Sequence, residues 1–278
     1  MGRSGTTILQ RLCNAHPQMR VTDEFGNYAF LGDRFHRYAA RTAARIHTIG
    51  GRWRILGPPG YLSSRLPHDF GVRSRNHAAN LQNCAVHLLR LARHWPVTVT
   101  LDRLVRAEAH DNQELLVVGD KLPSYALMWD RLVPLPDLLR LVIYRDCRDV
   151  TSSFLRKVRT DWKRQRWARY VDTAEKVAIR WVRAIEDLES RAQSLHIIRY
   201  EDLVADPRAI LDRLAGWLEV DPGGFDPGMV SATSVGKHLQ GLTKKELEDV
   251  LRVAGPTMDR LNYCQPGAVG PEPGMSFS

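Results

Sequence analysis

A chain of 278 residues that is 44% hydrophobic carries enough apolar material for a sizeable core, which excludes a disordered polypeptide. Its net charge of +9 favours anionic ligands, and only seven of its 40 basic residues are lysines. Arginine's planar fork suits phosphate and sulfate oxygens, although an arginine surplus is equally a matter of overall composition. Cys13, Cys84, Cys147 and Cys264 are widely separated and form no CxxC pair, which argues against a zinc ribbon or a disulfide scaffold and fits a reducing compartment. No apolar run approaches the roughly 20 residues of a membrane span, and the first 20 residues lack the apolar stretch of a secretory signal. The expectation is a soluble, cytoplasmic protein with no membrane segment.

In chain order, Met1 to Thr7 is a small-residue loop leading into a helix over 8–15, where Ile8, Leu9, Leu12 and Cys13 share one face and Pro17 ends the run. Residues 21–24 read as a short strand and 34–48 as a helix. The Gly- and Pro-rich stretch 50–68 is too long for a simple connection, and 80–95 returns to helical spacing. Residues 115–119 form an apolar run of strand length, followed by Asp120-Lys121-Leu122-Pro123 and a helix over 124–132. The clearest buried strand is 138–144 (LLRLVIY); it runs into Arg145-Asp146-Cys147-Arg148-Asp149 and a helix starting near Val150. A long helix over 174–191 precedes a third apolar strand at 195–199, and Asp206 is placed to cap the helix that Pro207 begins. Strands alternating with helices predict an α/β fold with a parallel sheet, whose ligands sit beyond the carboxyl ends of the strands.

Three of the resulting loops carry chemistry. Gly2-Arg3-Ser4-Gly5-Thr6-Thr7 entering a helix is a compact anion cradle, because small residues let backbone N–H groups close on oxygens while hydroxyls add donors. Taken alone it is also an ordinary capped helix start, and it lacks the lysine of a Walker A loop. Arg145 and Ser153, eight residues apart at a strand end and in the following helix, can converge on one anion, or Arg145 can be a solvated strand end. The segment Ile198-Arg199-Tyr200-Glu201-Asp202-Leu203-Val204 leaves the third strand. The ten histidines show no HxH or HExxH pairing, so no metal is expected, and His16 and His238 read as structural or substrate-contacting. Seven basic residues interleaved with Trp162 and Trp167 between Arg156 and Arg169 suit an acidic or aromatic acceptor, or simply form a solvated helix face.

Together and in this order, RSGTT followed by LQRLCNAHPQ, KLP, VIYRDCRDVTSS, RYEDLVADP and LTKKELEDVLRVAGPTMDRLNY resemble the sulfotransferases that use 3′-phosphoadenosine 5′-phosphosulfate (PAPS), most of all the tyrosylprotein sulfotransferases and related bacterial enzymes. The resemblance implies a P-loop-like α/β fold, a central parallel β-sheet flanked by helices, as one domain over 1–265 with a mobile tail at 266–278. It implies that Arg3, Ser4, Gly5, Thr6 and Thr7 grip the 5′-phosphosulfate and that Arg145 and Ser153 grip the 3′-phosphate. Tyr200 would lie near the 3′-phosphoadenosine and Lys237, in SVGKH, on a late loop closing over the nucleotide; Lys237 also reads as a solvated loop charge. Glu24, with Asp23 as fallback, would be the base, seven residues past Pro17, while Lys121 and Arg3 would stabilise charge at the transition state. Without the resemblance Glu24 is a surface carboxylate.

The family has a hydrophobic strand immediately before RSGTT, which this sequence does not show, and the expectation is a start that lies upstream. Cys147 replaces the family's proline after Arg-Asp. A small molecule, glycan, lipid or peptide hydroxyl is the expected acceptor, and no nucleic acid is expected as a partner. Two other readings remain: a nucleotide-binding protein without transferase activity, and a P-loop kinase, which the missing Walker lysine disfavours.

Overall fold

The computed structural model describes residues 2–23, 27–32, 37, 39–40, 100–109, 114–132, 135, 137–163 and 166–263. Glu24, the predicted helix over 80–95, the 50–68 loop, the 266–278 tail and all but three residues of the predicted 34–48 helix lie outside the described residues. In chain order the elements are α1 (Thr6–Ala15), β1 (Met19–Asp23), α2 (Leu101–Ala109), β2 (Val117–Lys121), α3 (Trp129–Leu132), β3 (Leu141–Tyr144), α4 (Cys147–Arg159), α5 (Ala174–Glu189), β4 (His196–Arg199), α6 (Tyr200–Ala205), α7 (Pro207–Leu218), α8 (His238–Gly241) and α9 (Lys244–Arg260), with short 3-10 turns between them. Two compact units result: one of Met1–Ala15 with Ala126–Ser278, the other His16–Tyr125.

In the first unit β3 and β4 pair in parallel, Leu141 opposite His196 through Tyr144 opposite Arg199. Both are short apolar runs rich in β-branched and aromatic residues, and the return from one to the other passes through α4 and α5, as a parallel pair requires. Several helix starts are chemically marked. The Asp146 carboxylate accepts from Arg148 N at 2.7 Å at the head of α4, and Asp206 accepts from Ala209 N at 3.0 Å where Pro207 opens α7. Thr243 and Glu246 form a reciprocal capping box on α9.

The core of this unit gathers Val150, Phe154 and Leu155 of α4, Val177, Ala178, Trp181 and Ile185 of α5, and Val250, Ala254 and Met258 of α9. Each large apolar side chain so buried contributes about 1.5–3 kcal/mol. Trp181, fully buried, donates from Nε1 to the Arg145 carbonyl at 2.8 Å, so the strand end that carries Arg145 is fixed by the core itself.

In the second unit β1 and β2 pair in parallel, Met19 opposite Val117 through Asp23 opposite Lys121. Among the described residues the strands thus form two parallel two-stranded pairs, a mixed α/β arrangement. The strands expected over 21–24 and 115–119 run instead over Met19–Asp23 and Val117–Lys121, the first helix starts at Thr6 instead of residue 8, and three further boundaries differ for local reasons. Residues 124–132 form a 3-10 turn over Pro123–Leu127 and the single-turn α3, because Pro123 lacks an N–H and the Tyr125 N–H bonds Leu122 O at 3.0 Å, three residues back. The strand expected over 138–144 begins only at Leu141, since the Leu138 N–H turns back onto the Leu135 carbonyl at 3.2 Å. Helix α4 starts at Cys147, three residues early, where Asp146 caps it. Among the described residues no helix is long and apolar enough to cross a membrane.

Candidate functional site

The loop before α1 is shaped by two left-handed residues, Arg3 at φ 67° and Gly5 at φ 96°. The left-handed conformation costs a non-glycine residue about 1–2 kcal/mol, and such strain gathers at functional positions. At residue 5 no side chain fits: a Cβ would stand 2.5 Å from Tyr200 Cδ2 and 3.2 Å from Ile143 Cδ1. The Gly5 carbonyl accepts from Leu9 N at 3.1 Å, so the chain becomes helical at Thr6, and the first N–H groups of α1 have no partner within the helix. Ser4 is fully buried and its Oγ has no hydrogen-bond partner. Thr6 is half-buried and Thr7 exposed.

The other predicted anion-binding residues gather around this loop. Arg3 Nε donates to Ser153 Oγ at 2.8 Å, joining the loop to α4. The Arg145 guanidinium lies over the Tyr200 ring, 4.9 Å from its centre, so one aromatic ring touches both Gly5 and Arg145. Arg145 is only 5% exposed. Its Nη2 donates to the Ser234 carbonyl and lies 3.0 Å from Asp149 Oδ2, while its Nε is buried with no partner.

Asp149 accepts from Gly236 N at 2.9 Å, His238 N at 2.9 Å and His238 Nδ1 at 2.8 Å. Burial alone would raise this carboxyl, but the His238 hydrogen bonds and the Arg145 charge outweigh it and hold the pKa at about 2. Lys237 is exposed on the segment these bonds tether, at the start of α8.

A neighbouring network fixes the same strand ends. Glu201 accepts from Asp146 N at 3.0 Å and from Tyr263 Oη at 2.8 Å, and the Arg199 guanidinium lies 4.1 Å from the centre of the Tyr263 ring. Burial raises the Glu201 carboxyl despite these bonds.

In the second unit Lys121 ends β2, and the register sets it opposite Asp23, the last residue of β1. Asp120 is held by Thr22 Oγ1 at 2.7 Å and Tyr125 Oη at 2.6 Å, which anchors the turn after Lys121. Both strands thus end on the residues singled out from the sequence, and Glu24 follows Asp23 directly. His16 is buried, its Nδ1 accepting from Gln18 N at 3.1 Å, which gives it a structural task.

In the basic segment 156–169, of which Arg164 and Gln165 lie outside the described residues, part of the charge is paired. Lys157 bonds Asp161, Arg159 bonds Glu246, and Arg169 packs on Tyr170; Trp162 and Trp167 lie 4.8 Å apart, with Trp167 45% exposed. Sequence reasoning passed over Asp149 and Glu201. The opposite charges of Arg145 and Asp149 one helical turn apart were the available signal for the first; nothing local marks the second.

The buried, unpartnered Ser4 Oγ and Arg145 Nε, the open N–H groups at the head of α1 and the missing Cβ at Gly5 form a donor-rich, space-starved cradle that fits phosphate or sulfate oxygens. A search of curated proteins finds no match. Among protein-family models, the one described as the sulfotransferase family matches residues 1–223. That span covers the cradle, both strand pairs and the Arg145 helix, and the chain belongs to the sulfotransferase family.

Proposed function

We propose that this chain transfers a sulfuryl group from PAPS to an acceptor hydroxyl. The observation that carries the reading is the Tyr200 ring in contact with both Gly5 and Arg145, which unites the RSGTT loop and the arginine at the end of β3 in one anion cradle. The two arms of that cradle, the loop and Arg145, suit a ligand with phosphate groups at two separated positions better than a single phosphate. Arg3, Ser4, Gly5, Thr6 and Thr7 hold the 5′-phosphosulfate, Arg145 and Ser153 the 3′-phosphate, and Tyr200 and Lys237 complete the nucleotide site.

When bound, PAPS supplies a sulfuryl group whose bond to phosphate breaks as a bond to the acceptor oxygen forms. The chain's own residues do the rest. Glu24 removes the acceptor proton, a task worth about 10²–10⁴ in rate. Lys121 and Arg3 stabilise the charge that spreads over the transferring and leaving oxygens. The acceptor is a small-molecule, glycan, lipid or peptide hydroxyl, and the exposed Trp167 and Tyr170 are candidates for contact with it.

The test is transfer of label from radiolabelled PAPS to a panel of phenolic, sugar, steroid and tyrosyl-peptide acceptors. Transfer to at least one class, lowered about 100-fold or more by Glu24→Gln, is the expected result. No transfer to any acceptor by a chain that binds the nucleotide would contradict it.

A further inference from the structure

We propose that Asp149 is a positioning residue of the nucleotide site, one that aims Arg145 and ties the 234–238 segment to the head of α4 through a single carboxylate. The inference rests on the reading that Arg145 receives the 3′-phosphate.

Both oxygens of Asp149 are committed. Oδ2 accepts from Gly236 N and faces Arg145 Nη2, and Oδ1 accepts from His238 N and His238 Nδ1. The carboxylate is 2% exposed, so these partners replace nearly all of its water, and its place in the first turn of α4 adds the favourable end of the helix dipole. Arg145 returns the link, donating to the Ser234 carbonyl on the same segment. Positions 234, 236 and 238 are therefore all bound to one ion pair, and Lys237 stands between two tethered neighbours. Gly236 takes the left-handed conformation, φ 75°, which glycine adopts without strain.

If Asp149 only competed with a phosphate for Arg145, removing its charge would tighten nucleotide binding. As a positioning residue it does the opposite. With Nη2 held by Asp149 and Ser234, the unpartnered Nε stays fixed for a ligand oxygen, and Lys237 stays at hand. Loss of the carboxylate frees the guanidinium and the segment together. The cost then falls on recognition of the 3′-phosphate and spares the 5′-phosphate, which the Arg3–Thr7 loop holds.

The experiment is calorimetric titration of the full chain with adenosine 3′,5′-bisphosphate and adenosine 5′-monophosphate, for wild type, Asp149→Asn, His238→Ala and His238→Asn, with amide hydrogen exchange of each protein in the absence of nucleotide. Asp149→Asn is expected to weaken the bisphosphate about tenfold or more, to leave the monophosphate within twofold, and to speed exchange at Gly236 and His238. His238→Ala, which leaves α4 intact, is expected to shift the bisphosphate in the same direction by about threefold. His238→Asn, whose amide nitrogen takes the place of Nδ1, should restore it. Unchanged or tighter bisphosphate binding in both Asp149→Asn and His238→Ala overturns the positioning role and leaves the sulfotransferase reading standing. Equal affinity of the wild type for the two nucleotides overturns that reading and this role with it.

Discussion

Arg3 Nε donates to Ser153 Oγ at 2.8 Å, so the residue assigned to the phosphosulfate end and a residue assigned to the 3′-phosphate end hold each other. Ser153→Ala removes the acceptor from a half-buried site without opening a core cavity. The expected outcome is a melting temperature within about 2 °C of wild type and a five- to tenfold loss of affinity for adenosine 3′,5′-bisphosphate, read by differential scanning calorimetry and by titration.

Gly5→Ala confronts both a left-handed backbone and a Tyr200 ring carbon 2.5 Å from the new methyl group. The expected cost is about 2–4 kcal/mol, from left-handed strain and overpacking combined, with loss of nucleotide binding. Urea unfolding reads the first and titration the second. Pairing Gly5→Ala with Tyr200→Ala should relieve the steric part and leave the backbone part, a non-additivity that a double-mutant cycle measures.

Trp181→Phe keeps most of the buried ring but deprives the Arg145 carbonyl of its 2.8 Å partner. A loss of about 1–3 kcal/mol is expected for the orphaned carbonyl and lost volume, against about 3–5 kcal/mol for Trp181→Ala. Both are read from the midpoint of urea unfolding.

The depressed Asp149 carboxyl makes a signed statement about pH. Its folded pKa of about 2 lies below the ordinary 3.8, so the unfolded chain binds the proton more readily. The stabilisation is fully present above about pH 4 and is lost as the pH falls towards 2. The stability gap between wild type and Asp149→Asn is therefore expected to be constant from pH 7 to pH 5 and to narrow below pH 4, measured by urea unfolding at each pH.

Much of this architecture is legible in the sequence where local chemistry decides it. The Leu141–Tyr144 and His196–Arg199 strands, the Asp206-Pro207 cap and the long α5 follow from hydrophobic period and cap residues, which act over a few positions. The register that sets Lys121 opposite Asp23 depends on pairing between segments nearly a hundred residues apart, which no local pattern specifies. The helix expected over 124–132 failed because Pro123 starts a 3-10 turn that periodicity does not register. At the site, Arg3, Gly5, Arg145, Ser153 and Tyr200 could be singled out because they sit in recognisable motifs, and the structure sets Arg3 on Ser153 and the Tyr200 ring against both Gly5 and Arg145. Asp149 was passed over: its charge one helical turn from Arg145 was a local signal, but its bonds to backbone groups 87 and 89 residues away are set by the fold.

If the proposed function is right, the Arg3–Thr7 loop and Arg145 together hold a nucleotide bearing phosphates at both the 3′ and 5′ positions. The most direct measurement is titration of wild type and Arg145→Ala with adenosine 3′,5′-bisphosphate and with adenosine 5′-monophosphate. A wild-type preference of tenfold or more for the bisphosphate, abolished in Arg145→Ala while monophosphate binding persists, is the predicted result. Equal binding of the two nucleotides by the wild type, or a preference that survives the loss of Arg145, would contradict it.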